Sequence, residues 1–350
     1  MDHGQPTLFR RALLAWFRRK ARPLPWRKTR SPYAIWVSEA MLQQTQVATV
    51  IPYYHRFLEA FPNVKRLAEA RSERVFELWS GLGYYRRARN LHAAARGIVR
   101  RFGGRFPRDY HQARSLPGIG DYTARAVLSI AFDQPFAVID GNVARVVARA
   151  KALAGNISQP SFRAAIAKEL DQWLSQREPG NFNQAMMELG QTICLPRAPR
   201  CPECPIQNRC AGHRLGTPEA YPAPRPRRAT ESQFLATAIM RRGANVALVR
   251  GLDGGLLSDL WNFPAAFGPT KAEARRRLRA KLSAIVRTPA KLGVPLAEVN
   301  HTITHRSISS QLYPVETRGI LQSTALRWFS IARLERSAVS QLARKISAKL

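Results

Sequence analysis

Apolar residues recur at helical spacing through the N-terminal part of the chain. Between Leu8 and Ala21 they alternate with arginine, which predicts a basic amphipathic helix. Ser31-Pro32 combines an N-cap with proline at the first helical position, so a helix is expected to begin there and to run to about Gln43. Similar spacing predicts further helices at 64–70, 72–79, about 86–101, 124–132, 142–154, 160–177 and 180–192.

The pattern changes at about 216–230, where proline and arginine predict a semi-rigid linker. Beyond the linker the pattern is that of strands, at 234–240, 246–250, 296–305 and 308–315, with an edge at 261–264 and a basic helix near 271–287. We therefore predict a helical region over 1–215, a linker over 216–232 and a small α/β domain over 233–350.

The composition of the chain indicates the kind of partner that it binds. The chain of 350 residues is 45% hydrophobic, as globular proteins are, but its formal net charge is +33. Such an excess implies a polyanion, nucleic acid before membrane, bound in a salt-dependent manner; an arginine-rich genome is the alternative source of the charge. No apolar run reaches the length of a membrane span, and Ala12–Phe17 is too short for a secretory signal. We expect a cytoplasmic protein, associated with the nucleoid if it is bacterial.

A glycine-rich turn separates two predicted helices at 116–123, Leu-Pro-Gly-Ile-Gly-Asp-Tyr-Thr. Gly118 and Gly120 allow a tight turn that exposes backbone N–H groups, and Asp121 is placed as the N-cap of the following helix. Such a turn is a site for a phosphate oxygen, but no Lys-Ser/Thr pair follows, which excludes a nucleotide-binding P-loop. Another carboxylate, Asp140, stands at the start of the next helix. The ordinary alternative is a helix–turn–helix connection with an N-cap aspartate.

One carboxylate lies within the apolar helix that begins after Ser31. Glu39 belongs to the stretch 36–47, Trp-Val-Ser-Glu-Ala-Met-Leu-Gln-Gln-Thr-Gln-Val, and it stands among apolar neighbours. Burial among such neighbours raises the pKa of a carboxyl group. The alternative for an isolated glutamate is a solvated helix charge.

Aromatic and basic residues meet at a second glycine-containing turn. The run Gly81-Leu82-Gly83-Tyr84-Tyr85 is followed by Arg86, Arg87 and Arg89 on the next helix. Rings that stack on bases and guanidinium groups that meet phosphates suit a nucleic-acid surface. The alternative for Tyr85 is a ring buried beneath the helix.

All four cysteines lie between positions 194 and 210, with the spacing C-x6-C-x2-C-x5-C, so no disulfide framework spans the fold. Four thiolates in so short a loop would repel one another, and a metal is expected to hold them. Structural zinc sites commonly use two C-x2–4-C pairs, of which this loop has one. Zinc and an iron–sulfur cluster are both open on spacing alone; the ligands would be Cys194, Cys201, Cys204 and Cys210.

The hairpin and the segment at Asp140 resemble the helix–hairpin–helix and the following Gly/Pro-Asp segment of the endonuclease III superfamily of DNA glycosylases. The cysteine spacing matches the loop of that superfamily that holds a 4Fe–4S cluster. The resemblance implies that the hairpin, at about 110–133, grips a phosphate beside a damaged base, that Asp140 acts at the sugar and that the cysteines hold the cluster. Bifunctional members have lysine where this chain has Tyr122. Because tyrosine cannot form a Schiff base, strand cleavage by amine chemistry is not expected.

The string Ser-Glu-Ala-Met-Leu-Gln-Gln-Thr-Gln-Val at 38–47 looks like the catalytic segment of MutY-type adenine DNA glycosylases. The resemblance implies that Glu39 protonates adenine and then activates water, while Asp140 stabilises the sugar cation. It also implies that Gln44 wedges into the base stack and that Tyr84 inserts beside 8-oxoguanine. Tyr122 and Asn142 are expected to orient the carboxylates; the other expected DNA contacts are Arg27, Leu42, Thr45, Gly118 and Gly120.

Residues from 233 onward resemble the Nudix-like C-terminal domain of the same family. The Glu-rich metal-binding box of active Nudix hydrolases is absent, so this domain is expected to bind rather than to hydrolyse. A Phe-Ser-His of the family recognises 8-oxoguanine, and the matching place here is Ile303-Thr304-His305, which keeps a hydroxyl and the imidazole but loses the aromatic ring. Thr304 and His305 are the expected lesion contacts.

The complete prediction is a mainly α helix–hairpin–helix DNA glycosylase with two helical lobes, a DNA groove between them and an iron–sulfur loop at 194–210, followed by a Nudix-like α/β domain. A monomer is expected to act on double-stranded DNA and to flip out adenine opposite 8-oxoguanine or guanine. One alternative is a mismatch glycosylase for thymine, which the motif around Glu39 opposes. The other is a non-enzymatic iron–sulfur DNA-binding or redox-sensing protein, which the presence of both carboxylates opposes.

Overall fold

The computed structural model describes residues 4–224, 230–252, 257, 260–286, 290–303, 306–317 and 323–350. The expected lesion contacts Thr304 and His305 lie outside these described residues. The chain forms two units, one of residues 1–69 with 90–226 and one of residues 70–89 with 227–350. In the described ranges no helix has the length and apolar character that a bilayer crossing requires.

The chain up to residue 220 is helical. Its helices are α1 (Gly4–Lys20), α2 (Pro32–Leu42), α3 (Val47–Ala60), α4 (Val64–Glu69), α5 (Ser72–Trp79), α6 (Arg86–Phe102), α7 (Tyr110–Arg114), α8 (Asp121–Phe132), α9 (Gly141–Lys151), α10 (Pro160–Trp173), α11 (Pro179–Thr192) and α12 (Ala211–Arg214). Single 3₁₀ turns lie at Pro25–Arg27, Cys201–Glu203, Gln207–Arg209 and Pro218–Ala220.

Two helical groups form the interior of the first unit. Helices α1, α9, α10 and α11 pack around a core that includes Leu13, Val147, Ile166 and Phe182, all fully buried. Helix α2 packs against α8 and contributes the fully buried Trp36 and Met41. Each such side chain stabilises the fold by about 1.5–3 kcal/mol through removal of apolar surface from water. The apolar residues that recur at helical spacing in the sequence are therefore the ones buried between the helices.

The second unit carries two sheets. Its strands are β1 (Glu231–Ile239), β2 (Arg241–Arg242), β3 (Asn245–Arg250), β4 (Trp261–Asn262), β5 (Ala265–Gly268), β6 (Ala290–Leu292), β7 (Ala297–Ile303), β8 (Arg306–Thr317) and β9 (Arg327–Ser330). One sheet has the order β5-β1-β8-β6, with β7 also paired to β8, and the other has the order β2-β3-β4, with β9 paired to β3. Strands β1 and β8 are parallel, and every other pair is antiparallel.

Two further helices pack on the strands of the second unit, which also contains α5 and the start of α6. Helix α13 (Lys271–Val286) packs against β1, β5 and β6, and its Leu278 and Leu282 are fully buried. Helix α14 (Gln341–Ser347) contacts β4 and β7 and buries Leu342 and Ile346 in the second core. The mainly α class with a C-terminal α/β part is confirmed.

Several boundaries differ from the predicted ones. Helix α9 ends at Lys151 rather than at 154, because Ala152 adopts a left-handed conformation that closes the helix. Strand β1 begins at Glu231 rather than at 234, because its pairing with β8 extends to that residue. The sequence signals miss α3, which contains Pro52. The linear division at 215 and 232 stays a prediction, and residues 70–89 group with the C-terminal strands.

Candidate active site

A cleft of about 1270 Å³ opens in the first unit, between the α2–α3 turn, the hairpin before α8, the start of α9 and α11. Ten residues that the sequence singles out line this cleft. They are Arg27, Glu39, Leu42, Gln44, Thr45, Gly118, Gly120, Tyr122, Asp140 and Asn142. The fold thus gathers residues from four separate stretches of the chain, at 27, 39–45, 118–122 and 140–142, onto one surface.

Glu39 lies on the buried face of α2. The helix begins at Ser31, whose hydroxyl accepts a hydrogen bond from the Ala34 backbone N–H at 3.3 Å, as the sequence predicts. Only 5% of Glu39 is exposed, and this burial raises the pKa of its carboxyl group to about 7. The Asp140 carboxylate also raises this pKa, whereas a hydrogen bond from Tyr122 lowers it. Glu39 is therefore poised to exchange a proton near neutral pH.

Tyr122 lies on the first turn of α8 and reaches the same carboxyl group. Its hydroxyl hydrogen bonds with Glu39 and lies 3.2 Å from the sulfur of Met187. Burial, with Glu39 and Asp140 nearby, raises the pKa of the phenol well above its usual value. The Tyr122 hydroxyl therefore remains protonated at neutral pH and can donate a hydrogen bond.

Asp140 is the N-cap of α9, at the start of a helix where the sequence places it. One carboxylate oxygen accepts the Val143 backbone N–H at 2.7 Å, and the other accepts the Asn142 side-chain amide at 2.9 Å. These two bonds fix the plane of the carboxylate. Asn142 thus contacts Asp140, one of the two carboxylates that the sequence analysis expects it to orient.

Arg145 extends this arrangement and has no signal in the sequence. Its guanidinium donates to the Asn142 side-chain oxygen at 3.0 Å, to the Gly190 carbonyl at 2.8 Å and to the Cys194 carbonyl at 2.8 Å. A Cβ at Gly190 would lie 2.7 Å from the Asn142 Cβ, so glycine permits this close approach of α11 to α9. A hydrogen-bonded path therefore joins the backbone of the cysteine loop to the Asp140 carboxylate.

The hairpin between α7 and α8 requires one of its two glycines. Gly118 has a φ of 75°, and a Cβ there would lie 2.5 Å from the Asn90 Cβ. Gly120 has a φ of −83°, and a Cβ there would meet nothing within 4 Å. Another residue could therefore adopt the backbone conformation of Gly120. Gly118 is required both by its positive φ and by its close contact with Asn90.

The prediction that Asp121 is an N-cap is wrong. Gly120 is the N-cap, and Asp121 is the first residue of α8. The Asp121 carboxylate instead accepts hydrogen bonds from the Tyr110 hydroxyl and, at 2.8 Å, from Arg125. These bonds lower the pKa of Asp121. The carboxylate joins α7 to α8 and so stiffens the hairpin.

A buried ion pair closes one wall of the cleft. Glu188 is 1% exposed and accepts hydrogen bonds from Arg22 at 2.6 and 2.7 Å and from Arg27 at 2.8 Å. Both arginines lower the pKa of Glu188. Arg27, which the sequence assigns to DNA contact, lines the cleft but has its guanidinium held by this carboxylate. The run Met186-Met187-Glu188, a charge at the end of an apolar stretch, was the available signal for Glu188.

The α2–α3 turn presents three predicted DNA contacts. Gln44 is exposed and has a φ of 58°, a conformation that non-glycine residues rarely adopt. Leu42 and Thr45, on either side of it, are half-buried and line the cleft. A strained backbone conformation at an exposed side chain marks this turn as a candidate binding site.

Tyr84, the predicted aromatic contact to DNA, lies in the second unit. Tyr84 is 48% exposed, whereas Tyr85 is 9% exposed and packs edge-on against Phe76. Gly81, Gly83 and Tyr84 all have positive φ, at 106°, 71° and 49°. The two tyrosines thus divide as the sequence suggests, with Tyr84 facing outward and Tyr85 buried.

The four cysteines are free and line one small cavity next to α9. Arg149 lies beside them, with its guanidinium 3.4 Å from the Cys194 sulfur and 2.6 Å from the Leu195 carbonyl oxygen. In the part of the chain that the structure describes, no three His, Cys, Asp or Glu side chains are arranged to hold a single metal ion. Four thiols around one cavity are the donor set that iron–sulfur clusters use, so these residues fit such a group.

Comparison with known proteins agrees with the helical fold. Residues 37–172 match the family described as HhH-GPD superfamily base excision DNA repair protein. A solved thermostable thymine-DNA glycosylase superposes with a TM-score of 0.54 at 26% identity, covering 61% of this chain and 98% of its own. A structure of endonuclease III trapped on DNA gives a TM-score of 0.53 at 22% identity, over 62% and 99% of the two chains, and supports the fold alone.

The hairpin, the cleft and the superfamily match define a DNA glycosylase, a hydrolase of N-glycosyl bonds that takes part in base excision repair. The rat protein named adenine DNA glycosylase is 35% identical over 405 residues, which cover 99% of this chain and 78% of that protein. The human protein of that name is 34% identical over 99% of this chain and 74% of its own. The chain belongs to the adenine DNA glycosylase family.

Proposed function

We propose that this chain removes adenine paired with 8-oxoguanine or guanine in duplex DNA, by hydrolysis without amine-mediated strand cleavage. The observation that carries the proposal is the buried Glu39, with a pKa raised to about 7, in the same cleft as Tyr122 and Asp140. A neutral acid beside a second carboxylate is the pair that cleavage of a bond to a sugar requires.

Glu39 acts first. Adenine is a poor leaving group as an anion, so its N7 must receive a proton while the bond to the sugar breaks. A carboxyl group with a pKa of about 7 is half protonated at neutral pH and can give that proton. After adenine has left, the Glu39 carboxylate accepts a proton from the water that attacks the sugar.

Asp140 acts on the sugar. As the glycosidic bond breaks, positive charge develops on the sugar, and the Asp140 carboxylate stabilises it or bonds to it transiently. The Val143 N–H and the Asn142 amide hold this carboxylate in one orientation. Tyr122 stands where an amine would be needed for a Schiff base, so the reaction ends at the base-free sugar.

The cleft also supplies the groups that would hold DNA. Backbone N–H groups of the hairpin around Gly118 grip a phosphate, and the exposed Gln44 wedges into the stack so that adenine can leave the duplex. Tyr84 is the candidate wedge beside 8-oxoguanine. Thr304 and His305, outside the described residues, are proposed as further lesion contacts from sequence alone. Monomeric action in the cytoplasm, on nucleoid DNA, is part of this proposal.

Cys194, Cys201, Cys204 and Cys210 are proposed to hold a 4Fe–4S cluster. Members of the endonuclease III-like family generally have one. The cluster would cross-link the loop 194–210 and thereby fix the carbonyl groups of that loop. Arg145 donates a hydrogen bond to one of these carbonyls, that of Cys194, and another to the Asn142 side chain. The loop would therefore help to hold Asn142, and through it Asp140, in position.

Single-turnover excision on duplexes that differ only at the base opposite adenine tests this function. Adenine release is expected to be fastest opposite 8-oxoguanine and slower opposite guanine, with Glu39→Gln as the matched inactive control. A duplex with thymine opposite guanine serves as the competing substrate. Thymine release as fast as adenine release, or a strong borohydride-trapped adduct with the unmodified protein, would refute the proposal.

A further inference from the structure

The loop at residues 80–85, here called the Tyr84 loop, holds its tyrosine in an unfavourable backbone conformation. Tyr84 has a φ of 49° and is preceded by Gly83 with a φ of 71°. A non-glycine residue in this region costs about 1–2 kcal/mol and persists only when its surroundings impose it. The contacts that impose it therefore determine where the Tyr84 ring is presented.

One set of contacts comes from α6, directly after the loop. The Arg87 guanidinium donates to the carbonyl oxygens of Leu82 and Gly83, both at 3.1 Å. It also lies 5.4 Å from the centre of the Trp79 ring and 5.3 Å from that of Tyr84. Arg87 thus holds the second half of the loop.

A second set of contacts comes from the C-terminal end of the chain, within the same unit. Arg344, on α14, donates a hydrogen bond to the Ser80 hydroxyl. The Ser80 hydroxyl lies 3.2 Å from the Tyr85 hydroxyl and can donate to the Ser337 carbonyl at 3.5 Å. The Tyr85 hydroxyl in turn accepts the Gly81 backbone N–H at 3.3 Å. A chain of hydrogen bonds therefore runs from α14 to the first half of the loop.

Because these contacts are buried, losing one of them is energetically costly. Ser80 is 8% exposed and Tyr85 is 9% exposed, so water does not readily replace a lost partner. The Ser80 hydroxyl can make these three contacts together, because its oxygen accepts from Arg344 and Tyr85 while its hydrogen goes to Ser337. The α14 side of the loop is thus held by hydrogen bonds that meet at the Ser80 hydroxyl.

We propose that Arg344 is a positioning residue for Tyr84, through Ser80 and Tyr85. The C-terminal domain then contributes to discrimination between 8-oxoguanine and guanine by holding the Tyr84 loop, separately from any contact that Thr304 and His305 make. This inference rests on the proposed function, in which Tyr84 inserts beside the lesion.

The test is the ratio of single-turnover adenine excision rates opposite 8-oxoguanine and opposite guanine, measured in the full chain. Arg344→Ala is expected to lower this ratio about two- to tenfold, the effect of one lost hydrogen bond, with Arg344→Gln recovering part of it. Ser80→Ala should lower it similarly, and the double variant should lower it no further. Lys345→Ala is the matched control, because it removes the same charge from the same helix but contacts the Asn300 carbonyl instead.

A second readout separates positioning from general destabilisation. With 2-aminopurine placed next to 8-oxoguanine, insertion of a ring into the stack raises the fluorescence, and Arg344→Ala is expected to reduce this rise at saturating protein. In a Tyr84→Ala background, adding Arg344→Ala should change neither the ratio nor the fluorescence.

The outcomes distinguish the two proposals. If Tyr84→Ala lowers the ratio but Arg344→Ala and Ser80→Ala both leave it at the wild-type value, the inference about Arg344 is wrong and the proposed function stands. If Tyr84→Ala leaves the ratio unchanged, Tyr84 does not read the lesion, and both its assigned role and the inference fall. Additive losses from Arg344→Ala and Tyr84→Ala would also overturn the inference.

Discussion

Tyr122→Phe should move the pH dependence of adenine release in a direction that the site geometry determines. In the proposed mechanism the protonated form of Glu39 reacts, and burial raises the pKa of this carboxyl group to about 7. The rate constant should therefore be level below pH 7 and fall tenfold per pH unit above it. The Tyr122 hydroxyl hydrogen bonds with the Glu39 carboxylate and lowers this pKa. Removing the hydroxyl should raise it.

The size of the effect follows from one hydrogen bond to a charged group. Such a bond contributes about 1.5–3 kcal/mol, and one pH unit corresponds to about 1.4 kcal/mol. The midpoint of the alkaline limb should therefore move up by about one to two pH units. At pH 8 about a tenth of wild-type Glu39 is protonated, against half or more in the variant. The rate of the variant relative to wild type should thus rise about fivefold or more between pH 6 and pH 8.

The assay is single-turnover adenine release from pH 5.5 to 9.5, with protein in excess over duplex. Tyr122→Phe is expected to have a lower plateau, since Tyr122 also orients the site, together with the displaced limb. Met187→Leu is the control, because it removes the sulfur that lies 3.2 Å from the Tyr122 hydroxyl and leaves the bond to Glu39 in place. A Tyr122→Phe limb at the wild-type position, or at lower pH, would refute the assignment of Glu39 as the acid whose pKa Tyr122 controls.

Four other variants, of which Gly120→Ala is a control, test separate parts of the site. Glu39→Gln keeps the shape of the side chain and removes the proton donor, so excision should fall at least 10²–10⁴-fold with duplex affinity retained; activity within tenfold of wild type would contradict this. Gly118→Ala should lower the free energy of unfolding by about 1–2 kcal/mol, because Gly118 has a φ of 75° and the added Cβ would meet Asn90. Gly120→Ala should have little effect, because a Cβ there meets nothing within 4 Å. Equal melting temperatures of the two variants would show that the hairpin tolerates both. Cys204→Ser should abolish the brown chromophore and much of the soluble protein; stoichiometric zinc without iron or sulfide in the freshly purified wild type would identify a different metal.

The sequence indicates the carboxylates of the cleft because each has a local signal. Glu39 interrupts an apolar helix, and Asp140 stands directly before one, so burial and N-capping follow from neighbours within a few residues. The helical first unit is predictable for the same reason, since apolar spacing decides which face each helix buries.

Residues whose importance depends on distant partners could not be found in this way. Arg145 resembles any other arginine of a basic chain until α11 and the cysteine loop bring the carbonyls of Gly190 and Cys194 to it. Asp121 shows the opposite error. Its sequence position suits an N-cap, but Tyr110 and Arg125 bind its carboxylate more directly than the helix does. The Tyr110 contact spans eleven residues and does not follow from helical spacing, whereas the Arg125 contact is an i,i+4 pair within α8 that the sequence could have indicated.

The grouping of residues 70–89 with the C-terminal strands has a consequence for how the protein is made. About 260 residues separate Ser80 from Arg344, so at 5–20 residues per second roughly 13–50 s pass between their synthesis. During that time the helices between them are already present and can fold. The Tyr84 loop therefore emerges early but obtains its last partner late. A growing chain can complete the hydrogen bonds of this loop only after synthesis has reached α14.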